Sequence, residues 1–163
     1  MPSKYLAKDD RIIRYVPWAR VRKDEDDNVV GILGNAFHLR ANEDYLSVTW
    51  CEYFDGDEFC KIRCAAEAIR NSEIDVRPKG RFAIAEVKSV NEFMLEAKRT
   101  VRFIHERESD NPAHAAIRRW PNDAPELLER LAEDVWHQSY SKTDIDAITE
   151  CECLVSLRGA QAP

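Results

Sequence analysis

The chain has few glycines and no long apolar run, and these two absences exclude several classes of protein. With 5 Gly among 163 residues, a loop that cradles phosphate with backbone N–H groups is poorly supplied. No apolar run approaches the roughly 18 residues that cross a bilayer, so we expect no membrane segment. Residues 1–4 lead into mixed charge instead of an apolar stretch. We therefore expect no secretory signal and predict a cytoplasmic protein.

Catalytic signature motifs are missing as well. The sequence contains no H-E-x-x-H, no G-x-S-x-G and no paired C-x-x-C, each of which indicates a defined chemistry. The absence of these motifs favours a protein that is not an enzyme, but it does not exclude an enzyme.

What is present is the composition of a folded globular protein. Hydrophobic residues make up 44% and charged residues 33% of the chain, and no repeat or Gly/Ser-rich linker divides it. Strand-prone runs cluster early, and helical periodicities follow without a regular alternation. We expect a single α+β domain over residues 1–163, with a mostly antiparallel sheet from the N-terminal half and helices packed on one face.

Charge is spread unevenly along the chain. The net charge is −6, yet residues 1–23 hold seven basic residues against two aspartates. The acidic remainder disfavours general nucleic-acid binding, because it repels phosphate. We interpret residues 1–23 as a basic, aromatic N-terminal arm that binds a protein partner through Arg11, Arg14, Trp18 and Arg20. The alternatives are that the arm lies on its own acidic body or that its aromatic residues stack on RNA bases.

A second candidate partner surface is Arg118-Arg119-Trp120. A Trp beside two Arg in a connector has the composition of an interface hot spot. The alternative is that Trp120 covers the end of the core.

Local sequence patterns predict several helices and one hairpin, which contain or flank the candidate residues. Residues 36–40 and 45–50 read as an antiparallel hairpin. A helix is expected from Asp55, with Phe59, Ile62, Ala66 and Ile69 as its buried stripe. Asn111-Pro112 favours a helix start, and a longer helix with a leucine stripe follows Asp123. The tail, residues 143–163, fits a helix or a strand.

Four cysteines form two closely spaced pairs, Cys60 with Cys64 and Cys151 with Cys153. On a helix, Cys60 and Cys64 project from the same side. Together the four thiols could complete a tetrahedral zinc site, but neither pair has the usual spacing. Without a signal peptide, we favour reduced, buried thiols and no cofactor.

Histidines offer the main enzymatic alternative. His114 would lie near the start of the helix that Asn111 opens, where a neutral imidazole is favoured. If His38 and His105 converge on it, the three could form an acid–base or metal site beside Ser47, Tyr45 or Arg40. The spacing does not require that convergence.

Segments 37–40, 45–48 and 111–115 resemble parts of small bacterial proteins, and the resemblance implies no activity. We therefore expect a small interaction or regulatory protein, a component of a bacterial multi-protein system. The alternative is a hydrolase or transferase acting on a phosphoester, nucleotide or acyl substrate, with His114, His38 and Ser47 at its site. The sequence does not determine the oligomeric state.

Overall fold

Strand-prone segments from the whole length of the chain build one six-stranded antiparallel sheet, in a computed structural model that describes residues 4–154. The strands of the chain are β1 (Arg11–Val16), β2 (Val21–Lys23), β3 (Val29–Ile32), β4 (Tyr45–Trp50), β5 (Arg81–Glu86), β6 (Arg102–His105), β7 (His114–Arg118) and β8 (Ser139–Tyr140). The large sheet has the order β6-β7-β4-β1-β5-β8, and β2 and β3 form a separate hairpin. The α+β class predicted from the sequence is confirmed.

Strand β1 lies inside the sheet, between β4 and β5. Its residues Ile12, Ile13 and Val16 are fully buried. The prediction of a free N-terminal arm over residues 1–23 is therefore wrong for this segment. Pro17 stands just after the last paired residue, Val16, so its missing N–H does not interrupt the ladder.

Helices cover both faces of the sheet, which is more than the single covered face that the sequence suggested. The α-helices among the described residues are α1 (Glu58–Arg70), α2 (Val87–Glu96), α3 (Pro125–Asp134) and α4 (Lys142–Asp146). Buried residues of α2 and α3 pack with Ile12 and Val16, whereas those of α1 and α4 pack with Ile13. Alternate residues of β1 thus belong to two separate cores, because side chains alternate across a strand.

The predicted stripe of α1 is confirmed in part. Ile62, Ala66 and Ile69 are buried, but Phe59 is 58% exposed. The helix begins one turn later than the Asp55 start implied, because the side chain of Asp57 accepts the backbone N–H of Cys60 and caps it. Phe59 is therefore in the first turn, ahead of the packed part of the stripe.

The hairpin predicted from residues 36–40 and 45–50 is wrong. Residues Gly34–Phe37 form a 3-10 turn, and β4 pairs instead with β1 and β7. The turn is fixed to α3, since the Glu129 carboxylate accepts the backbone N–H of Gly34 at 2.7 Å. A side chain at position 34 would collide with the backbone of Glu129, so glycine permits this approach.

The helix predicted to open at Asn111-Pro112 is also wrong. The Asn111 side chain accepts the backbone N–H of Ala113 at 3.0 Å and makes a turn there. Strand β7 then begins at His114 and lies between β4 and β6. Hydrogen bonds on both of its edges outweigh the helical preference of its alanines.

The C-terminal segment packs against α1 as far as the structure describes it. Part of the ambiguous tail, Lys142–Asp146, is helical and starts with a capping box at Ser141. The rest of the prediction for residues 155–163 lies outside the described residues. Within residues 4–154, no helix is long and apolar enough to cross a membrane.

Candidate functional site

The sheet opens between β1 and β4, and a cleft of about 730 Å³ lies at this opening. The two strands share only two registered pairs, Ile12 with Trp50 and Ile13 with Thr49. Beyond those pairs the strands separate, and the residues that follow, Arg14 and Tyr15 on β1 and Ser47 and Val48 on β4, line the cleft.

Ser47 and His114 meet on the cleft face of the sheet. In the β4–β7 ladder, Thr49 is opposite His114 and Ser47 is opposite Ala116, so the two side chains are diagonal neighbours on one face. The Ser47 hydroxyl is 2.8 Å from His114 Nε2. The imidazole is only 3% exposed, so this contact is shielded from bulk water.

The partners of His114 determine which of its nitrogens carries the proton. Nδ1 is 2.7 Å from the backbone oxygen of Glu106. A carbonyl oxygen only accepts, so Nδ1 must donate, and in the neutral ring Nε2 is left as an acceptor for the Ser47 hydroxyl proton. The Glu108 carboxylate is 3.4 Å from Nε2, where it would stabilise the imidazolium formed after proton transfer. This is the arrangement of a nucleophile, a base and a group that orients the base.

A guanidinium fills the gap between the separated strands. Arg14 donates from Nε to the backbone oxygen of Ala36 at 3.0 Å and from Nη1 to that of Ser47 at 2.7 Å. Burial lowers the pKa of Arg14 to about 10, which leaves it charged at neutral pH. Within residues 4–154 it forms no ion pair with a carboxylate. Its positive charge therefore lies in the wall of the cleft against the Ser47 backbone oxygen, without a described carboxylate to neutralise it.

Two more cations line the same wall. Arg20 donates to the backbone oxygen of Asn35 at 3.2 Å, and it too forms no ion pair with the described carboxylates. Arg40 is 81% exposed, and its nearest carboxylate oxygen, on Glu43, is 4.0 Å away. The wall formed by Arg14, Arg20 and Arg40, which we call the arginine wall, is thus only weakly neutralised.

The cleft also has an acidic rim, and one short hydrogen bond joins the two loops that form it. Glu73 and Asp75 come from the loop after α1, and Glu108 and Asp110 come from the loop between β6 and β7. Asp110 accepts the backbone N–H of Glu73 at 2.8 Å and joins the two loops. An anionic substrate is therefore expected on the arginine wall and not on this rim.

The three histidines singled out from the sequence do not all converge. His38 and His114 line the cleft, and His38 is exposed. His105 points elsewhere: its Nε2 is 2.8 Å from the backbone oxygen of Pro112, and its ring packs 5.2 Å from that of Trp50. Ser47 and His114 are therefore in contact and His38 lines the same cleft, whereas His105 does not belong to it.

The residues expected to bind a partner through the N-terminal arm have other contacts. Arg11 is ion-paired with Glu52 at 2.9 Å and Glu58 at 3.0 Å. Trp18 is half-buried, with the Lys23 ammonium 4.3 Å from its ring centre. Arg14 and Arg20 line the cleft. These side chains do not form one exposed arm.

The three residues of the second predicted partner surface, Arg118-Arg119-Trp120, differ in how far they are buried. Trp120 is 5% exposed and donates from Nε1 to the backbone oxygen of Phe37 at 2.7 Å, so it covers the core. Arg118 pairs with Glu106 at 2.6 Å. Only Arg119 is exposed. A Trp-centred hot spot at this position is therefore wrong.

The four paired cysteines do come together, but as disulfides. Cys60 is bonded to Cys151 and Cys64 to Cys153, with Cα separations of 5.4 and 6.1 Å. The expectation of reduced thiols is wrong for these four in the structure. Cys51 is free and buried, and burial raises the pKa of its thiol. Among residues 4–154, no group of three or more His, Cys, Asp or Glu side chains is placed to hold a metal ion.

Sequence reasoning missed Arg14 as a site residue and assigned it to the arm. One signal was available, because Arg14 interrupts the apolar strand Ile12-Ile13-Arg14-Tyr15-Val16, and a charge inside such a strand needs a dedicated partner. The Glu106 carbonyl left no sequence signal, since any residue supplies one.

Comparison with known proteins adds nothing to this geometry: no family model, no curated protein and no solved structure matches the chain.

Proposed function

We propose that the protein is a hydrolase or transferase that acts on a phosphoester, with Ser47 as nucleophile and His114 as general base. The observation that supports this most is the 2.8 Å contact between the Ser47 hydroxyl and a water-shielded His114 Nε2. It corresponds to the enzymatic alternative that the sequence left open. The interaction or regulatory role stays a prediction, and the arm and the Trp120 surface no longer support it.

The reaction follows from the proton positions. As the Ser47 oxygen attacks phosphorus, His114 Nε2 takes the hydroxyl proton, while Nδ1–H stays on the Glu106 carbonyl and keeps the ring in place. The bond from phosphorus to the leaving oxygen breaks, and that oxygen takes the proton from Nε2. A water or an acceptor alcohol then attacks the phosphoseryl phosphorus, and His114 Nε2 takes its proton. The bond from phosphorus to the Ser47 oxygen breaks, and Nε2 returns the proton to that oxygen.

The arginine wall favours a phosphoester over a neutral acyl substrate. A phosphoryl group carries its negative charge on several oxygens throughout the reaction, so a preorganised guanidinium stabilises the transition state most strongly there. Arg14 is held by the Ala36 and Ser47 carbonyls, so little reorganisation is needed when the substrate binds. A nucleotide fits the same chemistry through its phosphate.

A fluorophosphonate probe tests the nucleophile without knowledge of the substrate. The Ser47 oxygen would attack the probe's phosphorus and expel fluoride, which leaves a phosphonyl-serine that intact-mass and peptide mass spectrometry can locate. We expect labelling at Ser47. We expect His114→Gln to slow it by at least about 100-fold, because an amide cannot take the proton.

Ser72→Ala is the matched control. Ser72 lines the same cleft, but its hydroxyl donates to the backbone oxygen of Ile69 at 2.6 Å and has no base beside it. This variant should label as the parent does. Absence of label from Ser47 in the folded parent, or equal labelling of the parent and folded His114→Gln, would overturn the proposal.

A further inference from the structure

The four cysteines that tie the C-terminal segment to α1 form a cluster that the proposed reaction does not use. Cys60 and Cys64 are one helical turn apart on α1, and Cys151 and Cys153 are two residues apart. The two disulfides cross the same junction side by side, with Cα separations of 5.4 and 6.1 Å. Both disulfides therefore join the first two turns of α1 to the same short segment, residues 151–153.

Other contacts hold this junction together besides the sulfur bonds. Arg63, between the two helix cysteines, donates from Nη1 to the backbone oxygens of Ile145 at 2.7 Å and Ile148 at 3.2 Å. Arg70 contacts Asp146 at 2.8 Å. Ile145 is fully buried in the core that it shares with α1. The four cysteines should thus stay close after the disulfides are reduced.

We propose that the reduced form of this cluster binds one Zn²⁺ through Cys60, Cys64, Cys151 and Cys153. Tetrahedral zinc–thiolate geometry, with Zn–S near 2.3 Å, requires sulfur atoms about 3.8 Å apart. Opening each disulfide to that separation moves its own two sulfurs apart by under about 2 Å, and rotation of the four side chains brings the two pairs together around the metal.

The chemistry balances in two steps. A dithiol reductant converts the two disulfides to four thiols and is itself oxidised to two cyclic disulfides. The four thiols then release four protons to solvent as Zn²⁺ binds, and the site carries a net charge of −2. Cys60 lies in the first turn of α1, where the positive end of the helix stabilises that negative charge. The reducing compartment predicted from the sequence would favour the metal form over the disulfide form.

Cobalt and zinc test this site directly. The full chain is reduced with a dithiol in the presence of Co²⁺ or Zn²⁺, desalted without oxygen, and assayed for metal. We expect one metal ion per chain and, with Co²⁺, the thiolate charge-transfer and visible bands of a tetrahedral site. Cys60→Ser and Cys153→Ser should each lose those bands, whereas Cys51→Ala, which changes the free cysteine, should keep them.

Free thiols at all four cysteines of the cluster, with no bound metal and no cobalt spectrum, would overturn the proposal, whether or not the reduced chain remains folded. Binding that survives in Cys60→Ser or Cys153→Ser would overturn the assignment of ligands. Neither outcome bears on Ser47 labelling, so this site and the proposed reaction stand or fall separately.

Discussion

The two edges of β1 behave in opposite ways. Toward β5 the strand is paired at all six positions from Arg11 to Val16, and apolar side chains such as Ile84 fill the space above it. Toward β4 it is paired at two positions and then parts from its neighbour. A side chain, Arg14, takes the place of the missing backbone hydrogen bonds. One strand thus serves as the centre of a core and as the wall of a cleft.

We call the edge of β1 toward β5 the closed edge and the edge toward β4 the open edge. The contrast between them indicates that packing and candidate chemistry lie on different sides of this strand. The closed edge buries its side chains and leaves no space for a ligand. At the open edge the Ser47 carbonyl is bonded to the Arg14 guanidinium and the Ser47 hydroxyl to His114, because polar groups that the ladder leaves unpaired need polar partners. The functional groups therefore lie where the hydrogen-bonded pairing of β1 with β4 ends.

The largest expected effect is on the closed edge. Ile84, 5% exposed and opposite Ile13, loses most of its packing in Ile84→Ala, so the free energy of unfolding should fall by about 3 kcal/mol. Denaturant unfolding measures this change. Labelling of Ser47 in the folded fraction should be unchanged, because Ile84 does not line the cleft. If folded Ile84→Ala labelled Ser47 much more slowly than the parent, the packing against β5 and the site beside β4 would not be independent.

On the open edge, Arg14→Lys keeps the charge but removes the fork that holds the Ala36 and Ser47 carbonyls. A lysine has no planar donors to span both carbonyls and an anion. Inorganic phosphate should therefore protect Ser47 from labelling about 10-fold less well in this variant than in the parent. Arg119→Lys, on the exposed connector, is the control and should be protected as the parent is. Equal protection in Arg14→Lys would remove Arg14 from the site.

The smallest expected effect concerns the side-chain carboxylate of Glu106, the residue whose backbone oxygen holds His114. Hydrogen bonds from Arg118 lower the pKa of Glu106, so the pair stabilises the fold above the ordinary glutamate pKa and this contribution is lost as pH falls through the lowered value. Both side chains are partly exposed, so Glu106→Gln should cost only about 0.5 kcal/mol at pH 7.

Unfolding of the parent and Glu106→Gln from pH 7 down to pH 3 checks this prediction. The difference in the free energy of unfolding between the parent and Glu106→Gln should become smaller as the Glu106 carboxylate of the parent protonates. Ser47 labelling at pH 7 should stay the same, since the backbone oxygen of Glu106, and not its carboxylate, holds His114. If this difference in unfolding free energy grew as the pH fell, the pKa of Glu106 would not be lowered in the folded protein, contrary to the prediction.

Local signals predicted the parts of the fold that are fixed by local physics. The leucine stripe of α3 is buried as expected at Leu128 and Leu131, because spacing of three and four places residues on one helix face. Strand β4 was likewise visible from the β-prone composition of residues 45–50. These elements carry enough side-chain pattern to be recognised without their neighbours.

The site was harder to predict because it depends on pairing between distant segments. Ser47 and His114 are 67 residues apart, and only the register of β4 against β7 makes them neighbours. Strand β7 has no polar alternation, since it is buried between two other strands, and its sequence His-Ala-Ala-Ile-Arg suits a helix equally well. The residue types of the site were recognisable, but their geometry required the sheet.

The guanidinium between β1 and β4 also affects how the molecule meets other chains. Unpaired strand edges recruit foreign strands, and this recruitment is a common start of aggregation. Arg14 occupies the Ser47 carbonyl and places a charge where an incoming backbone would have to lie. The same side chain that prepares the cleft for an anion thereby discourages an extended peptide from completing the sheet.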